Sequence, residues 1–262
     1  MKPITRSQIL TRIDYALLDS EDWIKDSDLL TVLSGSYAYG TNTANSDLDI
    51  KSIVIPPLKD YYFGNKRFES LQCSSGNNDS KNTKDDIDLT LYSIKRFFHL
   101  ASQGNTSALE MLFVDESDIV LRTSYGQELL DHKNLFLTNQ IYKSFGGFAY
   151  SDKMRLLKSI ENNKTYDGKH LTHVLRLYQT AAQAFREGQM FTKRSSAEIE
   201  ILVKAKLEEY TNDEAIQLVV DAQEDFELAY ENSILPERID RKAVDQLLID
   251  MTTRYFKYEQ PL

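Results

Sequence analysis

The amino-acid sequence predicts an α+β fold, with a small mixed sheet in the N-terminal half and an all-helical C-terminal half, on three observations. An apolar run at residues 29–33 is short and strand-like, and residues 48–55 and 87–92 alternate polar and apolar side chains as half-buried strands do. These segments all fall within about the first 120 residues, and from Asn105 onward apolar positions recur at helical spacing. With 262 residues and 41% hydrophobic content, the chain is long enough for one large or two ordinary domains around a real core. The change in character divides it into 1–125 and 126–262, with a cleft between them.

In chain order, residues 6–24 place Ile9, Leu10, Ile13, Ala16 and Leu17 on one helical stripe. Strand 29–33 ends in a small-residue turn, Ser34-Gly35-Ser36, and strand 48–55 is closed by Pro56-Pro57. Residues 72–86, QCSSGNNDSKNTKDD, are polar, rich in Gly, Asn and Ser and without periodicity, which predicts a mobile loop. After strand 87–92, Ser93 is placed to cap a helix running through His99 to Gln103 and ended by Gly104. Further helices are expected at 107–113, 126–131, 136–160, 168–188, 196–210, 212–232 and 240–256, with Thr211 and Glu214 forming a capping box. No internal repeat or low-complexity tract interrupts this order.

The net charge of −9 argues at first sight against nucleic acid, but the charge is uneven. Residues 1–150 carry −5, residues 151–206 carry +5 and residues 207–262 carry −9. Since charges are screened beyond about 8–10 Å, a local basic face can hold phosphates whatever the total. Cys73 is the only cysteine, so the chain forms no internal disulfide and no thiolate zinc site; a reducing compartment fits, and the thiol reads as a loop or surface group. No run approaches the ~20 apolar residues of a membrane span, and MKPITRSQIL lacks a signal-peptide core, so a cytoplasmic protein is expected.

The informative stretch is LSGSYAYGTNTANSDLDI, residues 33–50. Asp47 and Asp49, two apart in a strand, leave the same face with Cα atoms roughly 6.5–7 Å apart. Two such carboxylates repel unless a cation sits between them, and Mg²⁺ binds through one or two carboxylates plus phosphates and water. Gly35 lets backbone approach a ligand closely, and the Ser36 hydroxyl at that turn suits an anion. Alone, each is ordinary: a D-x-D pair is usually a solvated strand edge and a G-S dipeptide merely a turn. Together, in this order and spacing, they describe a nucleoside triphosphate with its metal.

The pattern of an apolar strand, Gly-Ser, about ten residues and Asp-Leu-Asp-Ile resembles the DNA polymerase β-type nucleotidyltransferase superfamily. The string GSYAYGTNTANSDLDIK is similar to its RlaP-like (YcgL-like) RNA-repair-pathway branch, as are residues 88–113 and 169–190. The resemblance implies an N-terminal nucleotidyltransferase domain and transfer of NMP from an NTP to an acceptor hydroxyl on RNA, or alternatively on protein. It implies Mg²⁺ or Mn²⁺, two ions, at Asp47, Asp49 and a third carboxylate, for which Asp88 matches and Asp86 is the fallback. In such chemistry positioning and charge neutralisation dominate.

On helix 168–188, Lys169, His173 and Arg176 share one face opposite an apolar stripe, and they are candidates to contact the triphosphate. A solvated helix face is the plain alternative. His170 and His173 form a second metal-ligand pattern that lacks a carboxylate nearby in sequence. Lys51, Lys95 and Arg96 follow the strands and are further phosphate candidates, and Tyr37 and Tyr39 are placed either to stack on a base or to pack. A catalytically silent nucleotide- or partner-binding protein of the same fold is the rival reading.

Overall fold

Strand β1 (Asp28–Leu33) is buried from Leu29 to its end, as an uninterrupted apolar run requires, and it lies inside the sheet rather than at its edge. The computed structural model describes residues 5–17, 22–58, 68–75 and 86–258. Strands β2 (Leu48–Val54), β3 (Ser70–Ser74), β4 (Ile87–Ser93) and β5 (Ile119–Arg122) complete a five-stranded mixed sheet of order β3-β4-β2-β1-β5. β1 runs antiparallel to both β2 and β5, β3 runs antiparallel to β4, and β2 and β4 are parallel.

Helices α1 (Arg6–Ala16), α2 (Gly35–Tyr39), α3 (Ile94–Ser102), α4 (Thr106–Leu112) and α5 (Ser124–Asp131) are interleaved with the strands. Five longer helices follow: α6 (Ile141–Asn163), α7 (Gly168–Glu187), α8 (Ser196–Lys206), α9 (Asn212–Glu231) and α10 (Arg241–Tyr258). One sheet face packs Leu48, Ile50, Ile87, Leu89 and Leu91 against Ile9 and Ile13 of α1. The other side joins Leu30, Val32 and Ile53 to a single apolar cluster that continues through Phe97, Phe145, Phe185 and Phe226 to Tyr255. Because strand side chains alternate, the residues between those of the α1 face, Asp49 and Lys51 on β2 and Asp88 on β4, point to the helical side.

The expected boundaries follow from caps. Ser93 accepts from the Arg96 N–H, Asn105 from Ala108, and Asp167 from Lys169 and His170, while Gly188 ends α7 in the left-handed region. Capping boxes close at Thr211/Glu214 and at Ser195/Glu198. Helix 196–210 stops at Lys206, where Glu208 takes a positive φ, and helix 136–160 starts only at Ile141, after a 3₁₀ turn at Lys133–Leu135. The N-terminal helix ends at Ala16, and Asp22–Asp26 form a 3₁₀ turn.

Two expectations are corrected. The loop expected at 72–86 begins instead as edge strand β3, with Leu71 and Cys73 turned inward opposite Leu91 and Leu89 and with Ser70, Gln72 and Ser74 exposed. Residues 76–85 of that loop lie outside the described residues. β5 falls in the gap between the helices expected at 107–113 and 126–131, in a stretch read as mainly helical; its four residues are too short to show a period, and pairing with β1 makes them a strand.

Asp28, at the start of β1, accepts a hydrogen bond from Ser52 Oγ at 2.5 Å. Burial pushes its pKa up to about 6 despite that bond. A carboxyl with a raised folded pKa favours folding most below about pH 4, and that contribution is lost as pH rises through about 6. Asp28→Asn, which keeps the acceptor and removes the charge, is expected to gain on the order of 2–3 kcal/mol at pH 8 and little at pH 4. Urea unfolding across that range measures it.

Candidate active site

The site is assembled from the turn after β1, from β2 and from β4. Ser34 N–H donates to Asp49 O at 2.9 Å, tying the turn to β2. Gly35 has φ +57°, and a Cβ there would stand 1.9 Å from Asp49 Oδ2, so only glycine lets the turn pass the carboxylate. Immediately after it, the Ser36 hydroxyl is buried and without a hydrogen-bond partner. An orphaned buried hydroxyl is costly, and a ligand oxygen is what would satisfy it.

Asp49 pairs in register with Asp88 across the parallel β2–β4 ladder, with the strands roughly 4.8 Å apart. Burial first, and then the charges of Asp47 and Asp88, push the Asp49 carboxyl up to about 6 against the opposing pull of Lys51 and Lys169. The charges of Asp47 and Asp88 thus both reach Asp49, and Asp86 precedes β4 at its edge. Among the described residues, no three carboxylate, imidazole or thiol groups are gathered tightly enough to enclose a metal ion. The donor set itself, hard oxygens beside an unsatisfied hydroxyl, suits a hard divalent cation with a phosphate ligand.

Helices α7 and α8 supply the cations. Lys169, exposed at the start of α7, is close enough to lower the Asp49 pKa. Lys206, the last residue of α8, donates to Thr41 O at 3.1 Å and lies 3.5 Å from Ser46 Oγ, anchoring the loop that leads to Asp47. Burial lowers its pKa, opposed by Asp47 and Asp49. Sequence reasoning missed Lys206, and its one signal was membership of the basic segment 151–206. Gly40, φ +76°, lets α8 approach α2: a Cβ there would meet Ile199 Cδ1 at 2.8 Å.

The solvent-facing basic stripe expected on α7 is corrected at Arg176, which is 7% exposed. Its guanidinium is ion-paired with Glu110 of α4 and lies 3.8 Å over the Tyr39 ring, and Tyr39 donates to Glu110 Oε2 at 2.8 Å. Burial raises the Glu110 pKa, but Arg176 and Lys51 outweigh it and hold Glu110 ionised; burial likewise pushes the Tyr39 phenol well up. Half-buried Lys51 has a pKa lowered chiefly by burial, and it senses Glu110, Asp49 and Arg176. Arg176 is buried where α7 meets Glu110 of α4 and Tyr39 of α2, while α6, α8 and α9 pack around the same helix. Tyr39 is therefore a packing residue under Arg176, and Tyr37 packs against the α1-side core.

His173 is half exposed, with Nδ1 3.5 Å from Asp152 Oδ2, and His170 Nδ1 lies 3.0 Å from Asp152 Oδ1. The carboxylate absent from the neighbouring sequence comes from α6, and it holds the two imidazoles directly. Lys95 and Arg96 lie beyond the opposite end of β4 from Asp88, roughly 20 Å along the strand, and do not join the site. Cys73 is a half-buried free thiol whose pKa burial raises. No helix among the described residues is long and apolar enough to cross a membrane.

A 38.9 kDa protein encoded in the nrdC-mobD intergenic region of Enterobacteria phage T4 is 39% identical over 118 residues, 44% of this chain; the match spans about a third, 34%, of that relative. A nucleotidyltransferase-like protein from Exiguobacterium sibiricum 255-15 aligns over 94% of this chain and 78% of its own at 12% identity, with a TM-score of 0.31. Residues 17–250, which contain every strand and all the site residues above, match the RNA repair pathway DNA polymerase beta family, RlaP, and the chain belongs to that family.

Proposed function

We propose that the protein is a divalent-metal-dependent nucleotidyltransferase that moves NMP from an NTP to a hydroxyl on RNA. The observation that carries this reading is the orphaned Ser36 hydroxyl, which follows in the chain the glycine that passes the carboxylate of Asp49, itself in register with Asp88. Asp47, Asp49 and Asp88 would hold the metal, which supplies charge neutralisation at the phosphates and an acidified acceptor oxygen. Ser36 donates to a phosphate oxygen. Lys169 and Lys206 add positive charge on the α7–α8 side, and Arg176, Glu110 and Tyr39 hold α2 and α7 together so that the groups converge. RNA as acceptor is supported by the family's description and by the +5 charge of residues 151–206.

Incubation of the protein with each α-labelled ribonucleoside triphosphate, Mg²⁺ or Mn²⁺ and a mixed RNA pool tests this. Label in RNA with stoichiometric pyrophosphate is expected. Label in protein alone would move the acceptor to Tyr, Ser or Thr side chains, and absence of pyrophosphate with every NTP and acceptor would leave a nucleotide-binding protein without turnover.

Gly35→Ala is expected to weaken NTP binding sharply in calorimetry, because the new Cβ displaces Asp49. It also places a non-glycine residue at φ +57°, at a cost of about 1–2 kcal/mol.

A further inference from the structure

A cavity of about 820 Å³, the size of a site for a small organic ligand, lies at the far end of the helical half. Its walls are the end of α3, the first turn of α6, the end of α9 and the chain that leads into α10. Tyr230 in that wall touches Phe185, with ring centroids 5.4 Å apart, and Phe185 lies sixteen residues beyond Lys169 on α7. At 1.5 Å per residue that is roughly 24 Å along the helix, so the cavity is separate from the acidic cluster of β2 and β4.

Three cations surround this cavity without a carboxylate partner. Among the described residues, Lys143, Arg238 and Arg241 form no ion pair and no side-chain hydrogen bond, and all three are exposed. The one acidic side chain of the lining, Glu237, accepts a hydrogen bond from Asn139 Nδ2 at 2.8 Å. Asn139 is 9% exposed; its Oδ1 also accepts from Ser233 Oγ at 2.7 Å, and its N–H donates to Pro236 O at 2.8 Å. These bonds hold the segment that carries Arg238 and Arg241 against the start of α6. Both α6 and α10 begin at the cavity, and their positive ends add to a field that favours an anion. This field arises within the segment 207–262, whose overall charge is −9.

The rest of the wall suits a flat group with polar edges. Ser102 is 8% exposed, and its hydroxyl has no hydrogen-bond partner. Gln140, at the start of α6, has its amide oxygen buried and equally unpartnered. Such groups are costly to leave unmet, and a ligand that carries both donors and acceptors satisfies them. Beside them Tyr142 and Tyr230 stack with ring centroids 4.0 Å apart, and with Ile239 they form an apolar side. Phosphate on the cations and a heterocyclic base against the tyrosines describe a nucleotide.

We propose that this cavity is a nucleotide-binding site distinct from the transferase centre. Lys143, Arg238 and Arg241 hold the phosphates, and Ser102, Gln140 and the tyrosine pair surround the base. Binding is noncovalent and needs no metal, because the protein's own cations neutralise the phosphates. A free nucleotide and a nucleotide unit of an RNA strand offer the same chemistry, and their affinities tell them apart. The site stands whether or not the acidic cluster turns over an NTP.

Calorimetric titration in EDTA, which withholds metal from the acidic cluster, tests this with three probes: ADP, inorganic pyrophosphate and a short 5′-phosphorylated oligoribonucleotide. One ADP is expected to bind per chain, at least about tenfold more tightly than pyrophosphate, because only ADP reaches Ser102 and the tyrosines. Arg238→Ala combined with Arg241→Ala is expected to weaken ADP at least about tenfold, and Ser102→Ala by about three- to tenfold. Both arginines are exposed, so thermal unfolding of the double variant is expected to match the wild type. Lys169→Ala is expected to leave the titration unchanged. Tighter binding of ADP than of the oligoribonucleotide identifies a free nucleotide as the occupant, and the reverse order an RNA strand. The proposal falls if no probe binds in EDTA, if the double arginine variant binds the wild type's ligand unchanged, or if Lys169→Ala abolishes binding. Pyrophosphate that binds as tightly as ADP and the oligoribonucleotide overturns the nucleotide assignment.

Discussion

Asp49→Asn is expected to reduce NMP transfer at least about a thousand-fold and, in the metal-free protein, to raise the melting temperature. The two effects share one cause. Asp49 carries a charge in a half-buried place, beside Asp47 and Asp88, and that environment pushes its carboxyl up to about 6. Folding is favoured below about pH 4 and loses this contribution as pH rises through about 6, so a neutral isostere relieves the protein at pH 7.5. The relief is on the order of 1–3 kcal/mol once partial exposure is discounted. Thermal unfolding in a chelating buffer and pyrophosphate release in Mg²⁺ check the pair of outcomes; an Asp49→Asn protein that is less stable and still active would remove the charged-site account.

Arg176→Ala is expected to cost about 3–5 kcal/mol of stability, because Glu110 is left buried and charged without its partner. For a chain of this size that lowers the melting temperature by about 10 °C. Had Arg176 been a surface phosphate ligand, its removal would have changed nucleotide affinity with little effect on stability. Glu110→Gln combined with Arg176→Met removes both charges of the pair, leaves Lys51 with Asp49 as its acidic neighbour, and is expected to recover part of the lost stability. Chemical denaturation of the single and double variants, analysed as a cycle, gives the coupling directly.

Much of the fold was legible because it is written in local periods. The alternation in residues 48–55 and 87–92, the caps at Ser93 and Thr211 and the glycine after α7 all mark elements whose limits depend on a few neighbouring residues. Edge strand β3 was not legible, since half its side chains face solvent and its polar composition looks like a loop. β5 was too short to declare a period, and its strand character comes from β1.

For the site the division is similar. Gly35, Ser36, Asp47 and Asp49 stand close in the chain, so their joint meaning is local, and Asp88 could be placed on a strand of the right alternation. That Asp88 lies beside Asp49 required the parallel pairing of β2 and β4 across a connection of more than thirty residues. Helix α7 showed Lys169, His173 and Arg176 on one face, and a charged face reads as solvated until a neighbour covers it.

By itself, the sequence determined the α+β character, the order of most elements and the acid–glycine–serine constellation, because these follow from side-chain spacing along one strand, turn or helix. Only the tertiary structure decided that Arg176 is buried on Glu110, that Asp152 holds both histidines, and that Lys206 reaches the loop before Asp47. Those contacts join residues 18 to 165 positions apart, and burial, which sets whether a charge is a ligand or a structural partner, is a property of the packed chain rather than of any segment.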